Sequence, residues 1–137
     1  MKLLTSGQIR QLVEMAEQTR EALSSYVGYA AAYNSTALQL LDEWIERHLR
    51  QFPQPSQKMR LLWASFVGEV FRRHNGGEWI IQERGAGGGL AMLCPTEGGG
   101  QYAVDVMGQV NRRITQGMAA SLAFFYAITS IELKTGQ

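Results

Sequence analysis

A helix ends and a strand begins within residues 66–79, FVGEVFRRHNGGEW. The apolar residues at the start of this stretch recur every three or four positions, which is the pattern of an amphipathic helix. Gly76 and Gly77 follow Asn75 and are typical of a helix that stops in a left-handed C-cap. After them the hydrophobic period falls to about two, so Trp79 opens a strand. The junction predicts that a helical block meets a β-sheet here.

The helix of this junction is the third in the chain and begins after the cap residue Ser56. Its apolar stripe is the strongest in the sequence and comprises Met59, Leu62, Trp63, Phe66, Val67, Val70 and Phe71. Leu61, Ala64 and Gly68 fall on the opposite face. Small residues on that face allow another element to approach closely. We therefore expect this helix to be central and covered on two sides.

Two more helices are predicted before it. The first runs from about Ser6 to Ser25, behind the capping-box pair Thr5 and Gln8. The second runs from about Thr36 to Gln51 and is ended by the prolines that follow. It has apolar residues on one side and a polar side that includes Asp42.

Three short strands are predicted after the junction, with the bounds Glu78–Glu83, Leu90–Cys94 and Gln101–Val106. Glycine-rich segments at 85–89 and 98–100 separate them. Neither glycine segment opens a helix or is followed by a P-loop lysine, so hairpin turns explain them better than an anion cradle does. The strands are expected to form an antiparallel meander.

A short helix from Gln109 to Gln116 and a mostly apolar helix from Met118 to Lys134 follow the strands. Because its apolar residues cover more than one face, the last helix is expected to be largely buried. The sequence therefore predicts a single compact α+β domain. Its parts are a helical block at residues 1–77, a three-stranded antiparallel meander at 78–107 and C-terminal helices at 108–137.

Composition excludes several classes of function. The chain has 137 residues, of which 45% are hydrophobic, and this is enough apolar material for one core. Thirteen basic and twelve acidic residues give a net charge of +1, which is too small for binding driven by the phosphates of a nucleic acid. The single cysteine, Cys94, excludes an intrachain disulfide and a thiolate zinc site. The apolar segments are too short for a signal peptide or a bilayer span. We expect a cytoplasmic protein with no metal, cofactor, nucleic acid or membrane partner.

Candidate binding residues gather at the helix–strand junction. They are Glu69, Arg72, Arg73, His74 and Trp79. Paired arginines beside an imidazole can bind a carboxylate, which favours an anion or an acidic partner. The same basic residues also have a purely structural explanation, because positive charge at a helix C-terminus stabilises the helix dipole.

Cys94 is the candidate nucleophile if His48 or His74 approaches it as a base and a carboxylate orients that base, and His74 and Glu69 are the residues nominated for these roles. Pro95 follows directly and no elbow motif surrounds the cysteine, which favours a small buried residue at a strand end. His48 falls within the apolar face of the second helix, where a core or boundary histidine is expected rather than a metal ligand.

Residues 66–79 resemble a bacterial domain family of unknown function, marked by a Gly-Glu pair inside a helix and a Gly-x-Trp that opens a strand. The segment at 110–122 is similar to the later helical motif of that family, so the resemblance covers about residues 38–133. The family pattern has a proline after the third strand, where this chain has Met107 and Gly108. The resemblance implies helices packed on a short antiparallel sheet and brings no catalytic residue with it.

Three functional hypotheses follow. The leading one is a non-enzymatic bacterial protein-interaction domain with an unknown protein partner, by analogy with small bacterial domains that act as immunity or accessory proteins. The alternative is a small-molecule-binding protein or a weak thiol-dependent hydrolase that uses a cleft beside the sheet. The third is a homodimer through the exposed edge of the meander, so the chain is expected to be a monomer or a homodimer.

Overall fold

The computed structural model describes residues 1–83 and 89–136. Over these ranges it contains five α-helices and one four-stranded antiparallel sheet, which confirms the predicted α+β class. In chain order the elements are β1 (Lys2–Leu3), α1 (Ser6–Val27), α2 (Ser35–Gln51), α3 (Gln57–Asn75), β2 (Glu78–Ile81), β3 (Leu90–Pro95), β4 (Gln101–Val104), α4 (Val106–Gln116), a short 3-10 helix (Gly117–Ala120) and α5 (Leu122–Thr135).

The sheet has four strands in the order β1-β2-β3-β4, so the prediction of three strands, all placed after the first helices, is wrong. β1 lies at the N-terminus and pairs antiparallel with β2, where Lys2 faces Ile81 and Leu3 faces Ile80. Because β1 is only two residues long, the sequence shows no alternation of apolar and polar residues there. Only the pairing of β1 with the distant strand β2 makes it a strand. The meander of β2, β3 and β4 is present. Most of its first predicted glycine turn, at 85–89, lies outside the described residues.

The boundary between β4 and α4 differs from the prediction. β4 ends at Val104, and α4 begins at Val106 rather than at Gln109. The Asp105 side chain caps α4 by accepting a hydrogen bond from the Gly108 backbone nitrogen at 3.0 Å. A Cβ on Gly108 would collide with that carboxylate. The end of the predicted third strand is therefore the capped first turn of a helix.

The central position of α3 is confirmed. Every residue from Trp63 to Phe71 is buried. The helix packs against α1, α4, α5 and β3. Gly76 and Gly77 follow its last residue with φ angles of 75° and 135°, so the helix ends at the glycine pair as predicted. The predicted left-handed C-cap is wrong, because the ψ angle of Gly76 is 175° and lies outside the left-handed helical region.

Trp79 of β2 packs directly on α3 at Gly68. Its side chain is 1% exposed, and a Cβ built on Gly68 would overlap the six-membered part of its ring. The small residue on this face of α3 therefore admits an indole ring. This contact fixes the strand after the junction to the helix before it.

The prediction that the last helix is largely buried is wrong. Leu122, Thr129 and Leu133 are the buried residues of α5. One side of the helix packs on α2 and α3, while its large apolar residues on the other side are exposed. Apolar composition predicts a helix but does not say how many of its faces find a neighbour.

Gly68→Ala is expected to lower the free energy of unfolding by about 1–3 kcal/mol, because the added methyl group overpacks against Trp79. Alanine has a higher helix propensity than glycine, by roughly 1 kcal/mol, and this gain offsets part of the loss from overpacking. Gly7→Ala in α1 is the matched control, since its Cβ would meet no atom closer than 4.0 Å. It should leave stability unchanged or slightly raised in urea unfolding. Equal stability of the two variants would contradict the packing.

Candidate functional site

Three of the five predicted binding residues converge on the carboxylate of a fourth, Glu69, which is fully buried. Arg72 donates hydrogen bonds to both of its oxygens, at 2.7 and 2.8 Å. Arg73 donates at 3.3 Å and the indole nitrogen of Trp79 at 3.0 Å. The arginine side chains are partly exposed, so this cluster joins the core to the surface.

These contacts keep Glu69 charged. Burial alone would raise the pKa of its carboxyl, because desolvation disfavours the charged form. Hydrogen bonds from Arg72, Trp79 and Arg73, together with the positive charge of Arg72, outweigh burial and lower the pKa below its ordinary value. A carboxylate offers about four lone-pair sites, and four N–H groups already occupy them. Glu69 is therefore a structural centre with little capacity left for a substrate.

His74 does not join this cluster. Its Nε2 donates to the backbone carbonyl of Tyr33 at 2.5 Å. The Arg73 guanidinium lies 3.7 Å from the centroid of the Tyr33 ring, which also stacks on Phe66. Burial, together with the negative charge of Glu17, raises the pKa of Tyr33 to about 12. The end of α3 thus holds the loop between α1 and α2 in place.

Cys94 lies in β3 and is fully buried. Burial raises the pKa of its thiol to about 11, so the group is protonated at neutral pH. Among the described residues, neither His74 nor His48 forms a hydrogen bond with it. Neither histidine therefore supplies the adjacent base that nucleophilic chemistry requires.

Within residues 1–83 and 89–136, no group of three His, Cys, Asp or Glu side chains is arranged to hold a metal ion. No single helix of these ranges is both long and apolar enough to cross a bilayer.

A second buried charge pair, which the sequence analysis missed, joins α2 to α4. Arg113 is fully buried, and its Nε donates to the Asp42 carboxylate at 2.9 Å. Its Nη2 donates to the Asp42 carbonyl and to Glu46. Asp42 also accepts hydrogen bonds from the backbone nitrogens of Leu122 and Ala123, at 2.9 and 3.0 Å. One carboxylate therefore pairs α4 and caps α5.

The signal for this pair was present in the sequence. The placement of Asp42 on the polar side of α2 is wrong, because it stands four positions after Leu38 on the buried face. Arg113 likewise continues the spacing of Val106 and Val110 in α4. A charged residue in line with an apolar stripe predicts a buried partner of opposite charge, since an unpaired buried charge is costly.

An exposed apolar stripe runs along α5. Phe124, Ile128 and Ile131 are 65%, 41% and 59% exposed, and we call these three residues the α5 face. Their spacing of four and three places them on one side of the helix. From the other side, Tyr126 packs edge-on against Phe71 with ring centroids 4.8 Å apart. α5 is thus anchored on one side and presents large apolar groups to solvent on the other.

Two neighbouring cavities follow one another along α2. The apolar cleft, about 250 Å³, lies between α1, α2 and α3, and its walls include Ala22, Leu23, Leu41, Trp44, Met59 and Trp63. The basic pocket, about 450 Å³, is lined by Tyr26, Trp44, Arg47, His48, Arg50 and Gln51. Trp44 belongs to both. His48 is half-buried, in agreement with a boundary histidine, and stacks on Trp44 with ring centroids 5.1 Å apart.

Comparisons of this chain with protein-family models, with curated proteins and with solved structures found no match. The resemblance to a bacterial domain family therefore stays a prediction that depends on residues 66–79 and 110–122.

Glu69→Gln is expected to destabilise the protein at pH 7 by an amount that shrinks in acid. The folded pKa of Glu69 lies below the ordinary value of 4.5, so the unfolded chain takes up this proton first as the pH falls. The stabilisation is complete above about pH 4.5 and is lost as the pH falls through the folded pKa. Urea unfolding at a series of pH values measures the difference from the wild type.

Glu78→Gln controls for the loss of one negative charge, because Glu78 is exposed at the start of β2. A stability difference between wild type and Glu69→Gln that stays constant from pH 7 to pH 3 would contradict the assignment of Glu69 as a charged structural centre.

Asp42→Ala is expected to lower the free energy of unfolding by about 3–5 kcal/mol, because it leaves the buried charge of Arg113 without its main partner. Glu46→Ala removes a contact to the same guanidinium from a side chain that is 45% exposed. That control should cost about 1 kcal/mol or less. Urea unfolding measures the free energy of unfolding of both variants. Similar losses of stability in Asp42→Ala and Glu46→Ala would show that Asp42 is not the decisive partner of Arg113.

Proposed function

We propose that this protein is a non-enzymatic protein-interaction domain whose partner binds the α5 face. The observation that carries the proposal is the exposure of Phe124, Ile128 and Ile131 on one side of a helix that is packed on its other side. Exposed apolar residues scattered singly are ordinary on protein surfaces, but an apolar stripe along one helix is typical of a binding surface.

The energetics favour a protein partner with an apolar groove. Covering a large apolar side chain contributes about 1.5–3 kcal/mol relative to leaving it exposed. Residues spaced by four and three along a helix are the anchors of the helix-in-groove mode of recognition. Glu132 and Lys134 are exposed beside the stripe and can supply its polar rim.

The non-enzymatic part of the proposal is supported by the condition of the candidate catalytic residues. Cys94 is buried with a raised pKa, and the carboxylate of Glu69 is engaged by Arg72, Arg73 and Trp79. His74 is bound to a backbone carbonyl. These groups stabilise the fold, so a thiol-dependent hydrolase is not the function that the geometry favours.

The biological setting of the proposal comes from the resemblance described above. A bacterial, cytoplasmic immunity-type or accessory protein would need a binding surface and no catalytic centre, and the α5 face provides such a surface. The partner is then a protein, and one monomer of this chain is sufficient to present the three side chains.

The combined variant Phe124→Glu/Ile131→Glu is expected to reduce recovery of the specific partner at least about tenfold in quantitative pull-downs from the native host, because buried unpaired charges oppose docking. Both positions are exposed, so the melting temperature should change little. Ser25→Glu/Gln39→Glu is the control, since it adds the same charge at exposed positions of α1 and near the start of α2.

Three results would contradict the proposal. They are the absence of any specific partner of the wild type, equal recovery by the α5 variant, and equal loss in the control. Sedimentation equilibrium of the purified protein tests whether the partner is a second copy, since a dimer that the α5 variant abolishes would replace a foreign partner with self-association.

A further inference from the structure

We infer that the apolar cleft and the basic pocket together bind a small amphiphilic carboxylate, whose apolar chain occupies the cleft and whose carboxylate lies at Arg47 and Arg50. This site goes beyond the proposed function, because it is built by α1, α2 and α3 and shares no residue with the α5 face.

The cleft has the size and walls for an apolar chain. Its volume of about 250 Å³ exceeds the roughly 150 Å³ that accommodates benzene in an engineered apolar cavity and falls below the range for drug-sized ligands. Trp44 and Trp63 meet edge-on, with ring centroids 5.8 Å apart, and give the cleft rigid aromatic walls. Met59 adds an unbranched side chain that can adapt to a bound chain.

The basic pocket has the charge for an anion. Arg47 lies over the Tyr26 ring, with its guanidinium carbon 5.3 Å from the centroid, which restrains the side chain. In the described part of the chain, neither Arg47 nor Arg50 forms an ion pair. The residues that line the pocket therefore carry two positive charges and no acid.

Two carboxylates lie near this charge but do not line the basic pocket. Glu43 and Glu46 line an adjoining cavity that shares Tyr26, Arg47 and Arg50 with the basic pocket, and Glu46 is bound to Arg113. His48 contributes a polar ring, and burial lowers its pKa, which favours the neutral form at pH 7. A neutral histidine can donate one hydrogen bond to a carboxylate without adding charge.

The two cavities are adjacent along α2 and share Trp44 as a wall. Leu41 and Trp44 line the cleft, and Trp44, His48 and Gln51 line the pocket. From Leu41 to Gln51 the helix rises about 15 Å. A ligand with an apolar chain at one end and a carboxylate at the other matches this order of apolar and basic surface. A neutral ligand with the same apolar chain would gain no ionic contact with Arg47 and Arg50, and a cationic ligand would be repelled by their positive charge.

Octanoate is the probe that tests the site. Titration into the full chain, followed by tryptophan fluorescence and by calorimetry, should show saturable binding of one octanoate per chain, because Trp44 and Trp63 line the cleft. Octyltrimethylammonium has the same chain and the opposite charge. It should bind at least about tenfold more weakly.

Two variants separate the two halves of the site. Arg47→Gln/Arg50→Gln should weaken octanoate at least about tenfold and leave 1-octanol unchanged, with Arg10→Gln, an exposed arginine of α1, as the control. Ala22→Phe fills the cleft from an exposed position and should abolish binding of both octanoate and 1-octanol. Ala119→Phe, at an exposed alanine outside the cleft, is its control.

The inference is overturned by any of four results: no saturable octanoate binding to the wild type, equal affinity for octyltrimethylammonium, unchanged octanoate affinity in the arginine variant, or unchanged affinity in Ala22→Phe. Phe124→Glu/Ile131→Glu should bind octanoate as the wild type does. Loss of binding in that variant would move the ligand to the α5 face, whereas failure of the partner experiment leaves the octanoate result intact.

Discussion

The indole of Trp79 occupies the space that a side chain at position 68 would need, and its nitrogen donates to the buried carboxylate of the next residue, Glu69. Steric fit and hydrogen bonding therefore act on the same ring. Because the strand that carries Trp79 pairs with β1 and β3, this contact sets the position of the sheet on α3. A shift of the strand would both create a clash and leave a buried carboxylate without one donor.

The two buried carboxylates, those of Glu69 and Asp42, both need partners that compensate for the loss of water, and they find these partners in different parts of the chain. Glu69 draws its partners from its own helix and the strand that follows, so its network is local in sequence. Asp42 draws its partners from about 70 to 80 residues away, from Arg113 and the first turn of α5. Buried ion pairs add little net stability, but they penalise any packing that separates them. Asp42 thereby fixes the C-terminal helices on the N-terminal block.

The surface has two distinct features that suit two different kinds of ligand, the α5 face and the apolar cleft. The α5 face is a projecting apolar ridge of three large side chains, which suits contact with a folded partner. The apolar cleft is concave, has two tryptophans in its walls and lies next to the pocket that contains Arg47 and Arg50, which suits a small molecule. Chemical groups that could serve catalysis, Cys94 and Glu69, are used inside the fold instead.

The sequence by itself determined the features that depend on neighbours along the chain: the first three helices, the glycine stop after Asn75, the β2–β4 meander and a glycine on α3 suited to close packing. Tertiary structure alone decided the rest. β1 is a strand only because its backbone pairs with that of β2, and the α5 face is exposed only because no described element covers it. Asp42 illustrates both cases. Its helical spacing in the sequence indicates that it is buried, but only the folded structure shows that Arg113 is its partner. Periodicity records which side of an element is apolar, and only the assembled fold determines what lies against that side.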